Sequence, residues 1–312
     1  MKAVPAIGDT TLSSSVEVLD GLVAAGAGHR AAGRYREARR DLERALVEAE
    51  AAFGRDSLEV AGVLNELGIV AKYAGRFAAG EAAYRRALVI VEHELGPSDD
   101  AVASLLHNLG GLAHARGDHD AAEPLARRSV GLRQAIWGPS DPQVALDRGA
   151  HAAILVDLGR LREAEVTLRE VVAILRRDPR SDDLEVAVTL NNLATVRQRR
   201  GDLTEATSLA AEALAIRRRR LGDRSPVLAL SLNTLASIAE DDERLDEAVA
   251  LYEEALVLLD GAVEADLPAR QAIAWNLDRA RSALARPTTR TSRPRPGDGS
   301  ATRTRCRRSR SG

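Results

Sequence analysis

The chain has 312 residues and little of what a β-sandwich, a disulfide scaffold or a membrane protein requires. Aromatic residues are scarce, with 2 Phe, 2 Trp and 4 Tyr. Strands favour aromatic and β-branched side chains, so the scarcity argues against barrels and sandwiches. The single cysteine, Cys306, excludes an intramolecular disulfide and a Cys-rich metal site. No segment approaches the ~18 uncharged apolar residues that span a bilayer, and the opening MKAVPAIGDTTLSSS lacks the apolar stretch of a signal peptide. A reducing, cytoplasmic location is the expectation. Phosphate-loop, nucleophile-elbow, zincin and dinucleotide-binding motifs are all missing, so neither enzymatic activity nor a cofactor is expected.

What the chain does have is alanine, leucine, valine and arginine in abundance, a mixture that packs helices closely. Of 44 basic residues only Lys2 and Lys72 are lysine. The formal charge of -2 conceals an asymmetry: residues 286–312 carry nine arginines against one acid, Asp298, for a net +8, which leaves -10 on residues 1–285. The tail RPTTRTSRPRPGDGSATRTRCRRSRSG has almost no apolar side chains to offset the entropy of ordering, and is expected to be disordered.

Between the ends runs a strict repeat. GRYREA begins at residue 33, GRFAAG at 75, GDHDAA at 117, GRLREA at 159, GDLTEA at 201 and ERLDEA at 243, each 42 residues after the last. Such a period fixes an architecture before any residue-level reading. In the fifth copy, VAVTLNNLATVRQRR places Leu190, Leu193 and Ala194 on one helical face; Gly201 interrupts, and Leu203, Ala206, Leu209, Ala210, Ala213 and Leu214 form a second apolar face. The unit is therefore two antiparallel helices joined by a glycine turn. Gly54, Gly96, Gly138 and Gly222 are placed to end the second helices, while Asp141-Pro142 and Ser225-Pro226 read as starts of the next. Ser14 and Glu17 match an S-x-x-E capping box, which sets the first helix at Ser14. Residues 269–285 supply a lone terminal helix that covers the apolar end of the stack.

These features resemble the tetratricopeptide repeat in its 42-residue form, known from kinesin light chains and many bacterial proteins. The carrying residues are Leu64, Leu67, Gly68, Gly75, Phe77, Tyr84, Ala87 and Leu88 in unit two, and LNNLA at 190–194 with Gly201, Ala206, Ala213 and Leu214 in unit five. The resemblance implies an all-α, right-handed α-solenoid of six helical hairpins plus a capping helix over residues 14–285, with residues 1–13 a flexible N-terminus and residues 286–312 the basic tail. No heptad-patterned region precedes the repeats, so a motor-adaptor role does not carry over. Unit four departs from the pattern: Arg148 stands where Leu64, Leu106, Leu190 and Leu232 recur, and His151 where Leu67, Leu109, Leu193 and Leu235 recur. A loosened joint is expected there.

First helices line the inner side in this family, which implies a peptide-binding groove. Geometry places its stripe about 100° from the buried leucines. That stripe holds Asn65, Ile69 and Lys72 in unit two; His107, Gly111 and His114 in unit three; Asn191, Thr195 and Gln198 in unit five; and Asn233 and Ser237 in unit six. Asn108 and Asn192 sit beside it, and the terminal helix adds Trp275 and Asn276. A recurring asparagine amide suits the backbone of an extended peptide, since it both donates and accepts. The alternative is that it braces the neighbouring helix, or recurs through descent of the units from one ancestor.

His107 and His114 lie about 10.5 Å apart along their helix, too far for one metal at 2.1 Å from each nitrogen. His119 in the following turn is near enough in sequence to join His114, yet groove or surface histidines are the simpler reading and no metal is assigned. The acidic body and the lack of aromatics disfavour nucleic-acid binding by the repeats. The expected function is a protein-interaction scaffold or adaptor for an extended peptide or partner helix. The alternative is a regulator whose arginine tail contacts nucleic acid or anionic surfaces in a salt-sensitive way while the repeats hold a protein. Neither a membrane partner nor an oligomeric state follows from these residues.

Overall fold

The computed structural model describes residues 7–179, 181–260 and 268–285, and these form thirteen α-helices with no strand. In chain order they are α1 (Ile7–Ala31), α2 (Tyr35–Phe53), α3 (Leu58–Tyr73), α4 (Phe77–Leu95), α5 (Asp100–Ala115), α6 (His119–Trp137), α7 (Pro142–Asp157), α8 (Leu161–Arg177), α9 (Asp183–Arg199), α10 (Leu203–Leu221), α11 (Leu228–Asp241), α12 (Leu245–Asp260) and α13 (Pro268–Leu284). Odd-numbered helices through α11 are the first helices of six hairpins; α13 is the seventh. The expected basic tail, residues 286–312, lies outside the described residues.

The hairpin turns repeat one design. Gly33, Gly75, Gly117, Gly159 and Gly201 all have positive φ, between 68° and 84°, and the residue after each donates its N–H back to a carbonyl five residues earlier, as Asp202 does to Arg197. In unit six Glu243 occupies the place at φ 58°, the only non-glycine with positive φ among the described residues, and the Arg244 N–H still reaches the Ala239 carbonyl. Gly54, Gly96, Gly138 and Gly222 cap the second helices as anticipated, with φ between 78° and 91°. Asp141 caps α7 by accepting from the Gln143 N–H.

Two expected boundaries are corrected. α1 begins at Ile7, not at Ser14, because the segment after Gly8 holds no glycine or proline that would stop the helix from extending through Ser13–Ser15. Residues 1–6 of the expected flexible segment 1–13 lie outside the described residues. α11 begins at Leu228, not after Ser225: Pro226 and Val227 stay in a turn, and the Leu228 N–H is held by the Ser225 carbonyl.

Ala38, Ala122, Ala164, Ala206 and Ala248 are fully buried, each 42 residues or a multiple of it from the next, where the two helices of a hairpin cross most closely. Gly80 takes that place in unit two, where a Cβ would lie 2.6 Å from Leu112 Cδ1. The leucines Leu64, Leu106, Leu190 and Leu232 are buried as read from the sequence. One large apolar cluster reaches from α1 to α5 and another from the end of α10 to α13; between α5 and α10 the core is divided into smaller clusters.

Stacking is wedge-shaped. Backbones of successive first helices approach one another along the whole series from α1 to α13, whereas those of successive second helices do not. First helices therefore line the inner side. On the outer side the second helices are bridged by an Arg–Glu rung at a spacing of 36: Arg86 with Glu50, Arg128 with Glu92, Arg176 with Glu212, and Arg218 with Glu254. The rung is missing between units three and four, where Gln134 faces that register and Glu170 pairs instead with Arg148.

Candidate functional site: the inner face

On the inner face the polar residues form a second ladder, at a spacing of 43. The Asn108 amide donates to Asn65 Oδ1 at 2.8 Å, Asn191 to Thr234 Oγ1 at 2.9 Å, and Asn276 to Asn233 Oδ1 at 3.1 Å. Gln198 donates to Asp241 at 2.7 Å and to Ser237 at 2.8 Å. Each bond joins one first helix to the next. A spacing of one period plus one residue follows from the tilt of each hairpin on its neighbour. The asparagines thus brace the stack, one of the two uses open to them from sequence, and remain half-buried. Asn192 is half-buried beside Asn191, and the Thr195 hydroxyl turns back to the Asn191 carbonyl of its own helix.

The remaining stripe residues differ in character. Ile69 packs against the first core cluster. Lys72 crosses from α3 to α5 and lays its Nζ over Gly111, 3.1 Å from where a Cβ would stand; burial pushes its pKa below the ordinary lysine value. His107 Nδ1 lies 2.8 Å from Asp147, a carboxylate only 3% exposed that also accepts two bonds from Arg133 and one from Ser129. His114 Nε2 lies 2.8 Å from Asp157 and its ring meets His119 edge-on at 5.3 Å. Trp275 is exposed, with the Arg279 guanidinium 4.8 Å over its ring.

In unit four both irregular residues have found carboxylates: Arg148 pairs with Glu170 and His151 approaches Glu123. Polar groups at leucine positions are thereby accommodated, and the apolar core beside them is divided into small clusters.

The stripe read from sequence missed an apolar column one turn earlier on the same helices. Val188 and Leu230, 42 residues apart on α9 and α11, are 50% and 52% exposed, and Leu146 occupies the same place on α7, partly buried. Val188, Leu230 and, one turn further along on α13, Trp275 at 64% exposure leave large apolar side chains in water on α9, α11 and α13. The signal was present in the 42-residue period, but an exposed face cannot be told from a buried one by period alone.

Models of the tetratricopeptide repeat match residues 59–135, 101–177 and 185–259, and a second repeat model matches residues 24–59. The chain belongs to the tetratricopeptide repeat family. Repeats of this family mediate protein–protein interaction. Solved structures share the fold: a Podosopora anserina protein of nearly identical TPR-like repeats, named a "putative kinesin light chain", aligns at 21% identity and TM-score 0.52 over 65% of this chain and 96% of that one. Another match, within the APC/C hetero-tetramer Cut9-Hcn1, has 14% identity and TM-score 0.57 over 87% of this chain and 46% of that one. BtubC (BKLC) from P. vanneervenii aligns at 19% identity and TM-score 0.47, over 76% of this chain and 98% of that one. No curated protein matches the chain. Among the described residues no helix is long and apolar enough to cross a membrane.

Proposed function

We propose that the protein is a non-catalytic binding scaffold that holds an extended peptide or a partner's helix along the inner face of its first helices. The observation that carries this is the exposed apolar pair Val188 and Leu230, one period apart on α9 and α11, with the exposed Trp275 on α13 one turn away in the asparagine register. Large apolar side chains left in water on successive helices are the anchors an apolar helix face or alternate peptide side chains would cover. Beneath them the amide ladder ties each first helix to the next and so fixes the spacing of the anchors. It also leaves Asn192 and Lys72 as polar groups for orientation.

The test is affinity capture with the full chain against Val188→Asp/Leu230→Asp, both exposed sites whose change should leave the melting curve near wild type. Loss of an anchor costs more than ~1 kcal/mol of binding, so the double variant should retain at most about a tenth of each captured partner. Equal capture by both proteins would remove the inner face from the function. Comparing residues 1–285 with the full chain at low and moderate salt then reports on the arginine tail: partners lost with the tail, or nucleic acid released by salt, would favour the regulator over the adaptor.

A further inference from the structure

His119 is out of place in its own repeat. The residue that opens each second helix is Tyr35, Phe77, Leu161, Leu203 or Leu245 in the other units, an apolar side chain packed on the hairpin; in unit three alone it is histidine. Its Nδ1 is buried without a hydrogen-bond partner among the described residues. Replacing an apolar contact by a buried ring nitrogen with nothing to bond is costly unless a ligand supplies the missing bond.

Two further donors stand at the same point. His114, from the last turn of α5, and Asp157, the last residue of α7, join His119 so that one donor atom from each of the three lies within 4.8 Å of the other two. The His114–Asp157 contact alone would need no metal, because Gln198 and Asp241 make the same rung two units later. His119 is the added element. Asp157 is held by Arg199, whose guanidinium takes Oδ1 at 2.9 Å and leaves Oδ2 facing His114.

We infer that His114, His119 and Asp157 form a site for one divalent zinc-class ion that staples the α5–α6 turn to the end of α7. Ligands sharing one zinc at 2.0–2.1 Å stand about 3.3 Å apart in tetrahedral geometry, so small side-chain rotations close the site. Two imidazoles and a carboxylate are the ligand types this ion takes, and three protein ligands leave a fourth position open to water or to a donor from a bound partner. Arg199 is the outer-sphere group that orients the carboxylate. The staple falls at the joint that lacks the outer Arg–Glu rung, where an added tie has most to contribute.

The test is calorimetric titration of the chelator-treated full chain with Zn²⁺, together with melting curves with and without the ion. Wild type should bind one equivalent saturably at this site and melt higher when loaded. His119→Leu restores the residue type that the other units carry and should fold without metal at least as well as wild type, yet lose about 100-fold or more of affinity together with the melting shift. Asp157→Asn should weaken binding in the same way, and His93→Ala, at an exposed histidine elsewhere, should not. Absence of saturable binding to wild type overturns the site. So does equal affinity in His119→Leu and wild type, since the ion would then sit on other residues.

Discussion

Cutting the carboxylate at position 147 asks whether the joint between units three and four is held by charge. Asp147 is 3% exposed and accepts two hydrogen bonds from Arg133 at 3.0 Å, one from Ser129 Oγ at 3.0 Å, and faces His107 Nδ1 at 2.8 Å. Arg133 is itself buried and reaches Asp100 and Ser104 with its other nitrogens. Asp147→Ala would leave that guanidinium inside with only Asp100 as counter-charge. Removing one partner of a buried pair costs about 3–5 kcal/mol; the residual Asp100 contact puts the expectation near the lower figure, about 3 kcal/mol. One joint further along, the same two positions are Leu175 and Thr189, both buried. Arg133→Leu/Asp147→Thr therefore transplants a combination the fold already packs, and exchanging a buried ion pair for such residues is close to neutral. The double variant should come within about 1 kcal/mol of wild type while each single change costs about 3 kcal/mol, a coupling of several kcal/mol. Urea unfolding by circular dichroism gives the cycle. Amide exchange localises it, since repeat arrays can open unit by unit and should open first at this joint. Singles costing under about 1 kcal/mol each, or a double that costs their sum, would refute the argument.

Three further outcomes follow from the same structure. Arg217 is the counterpart of Arg133 two units later; it is 3% exposed, donates to Ser231, and pairs with no carboxylate among the described residues, while burial lowers its pKa. Ser231→Asp should supply the missing charge and stabilise by about 1–3 kcal/mol, a gain read in urea midpoint; a lower midpoint would show that the site cannot admit the carboxylate. Glu243→Gly relieves the left-handed backbone at φ 58° and should stabilise by about 0.5–1 kcal/mol after the greater freedom of glycine in the unfolded chain is counted; no rise in melting temperature contradicts it. Burial lowers the His151 pKa below its ordinary 6.5 despite Glu123 nearby, so the folded chain resists a proton that the unfolded chain accepts. Its contribution is complete above the unfolded value and diminishes as pH falls below 6.5 towards the folded value. His151→Gln should flatten that part of the stability–pH curve, and an unchanged slope would exclude it.

The repeat was legible in the sequence because everything that defines one hairpin is local. Helical periodicity, the left-handed glycine between the helices and the alanine at their crossing all lie within one 42-residue window, and each copy restates them. Stacking of six such units into a solenoid follows, since one hairpin cannot cover its own apolar face. Where the sequence misled, the deciding interaction was weak or nonlocal. The Ser14 cap and the Ser225-Pro226 start matched local rules but were overridden by helix extension at one end and a longer turn at the other. Only the tertiary structure decided which side chains meet across joints. The 43-residue inner register and the 36-residue outer one depend on the tilt of one hairpin on the next, which no single window encodes. That tilt turns Asn65 to Asn108 and Asn233 to Asn276, buries Asp147 against Arg133, leaves Val188 and Leu230 in water, and brings Asp157 to His114 and His119.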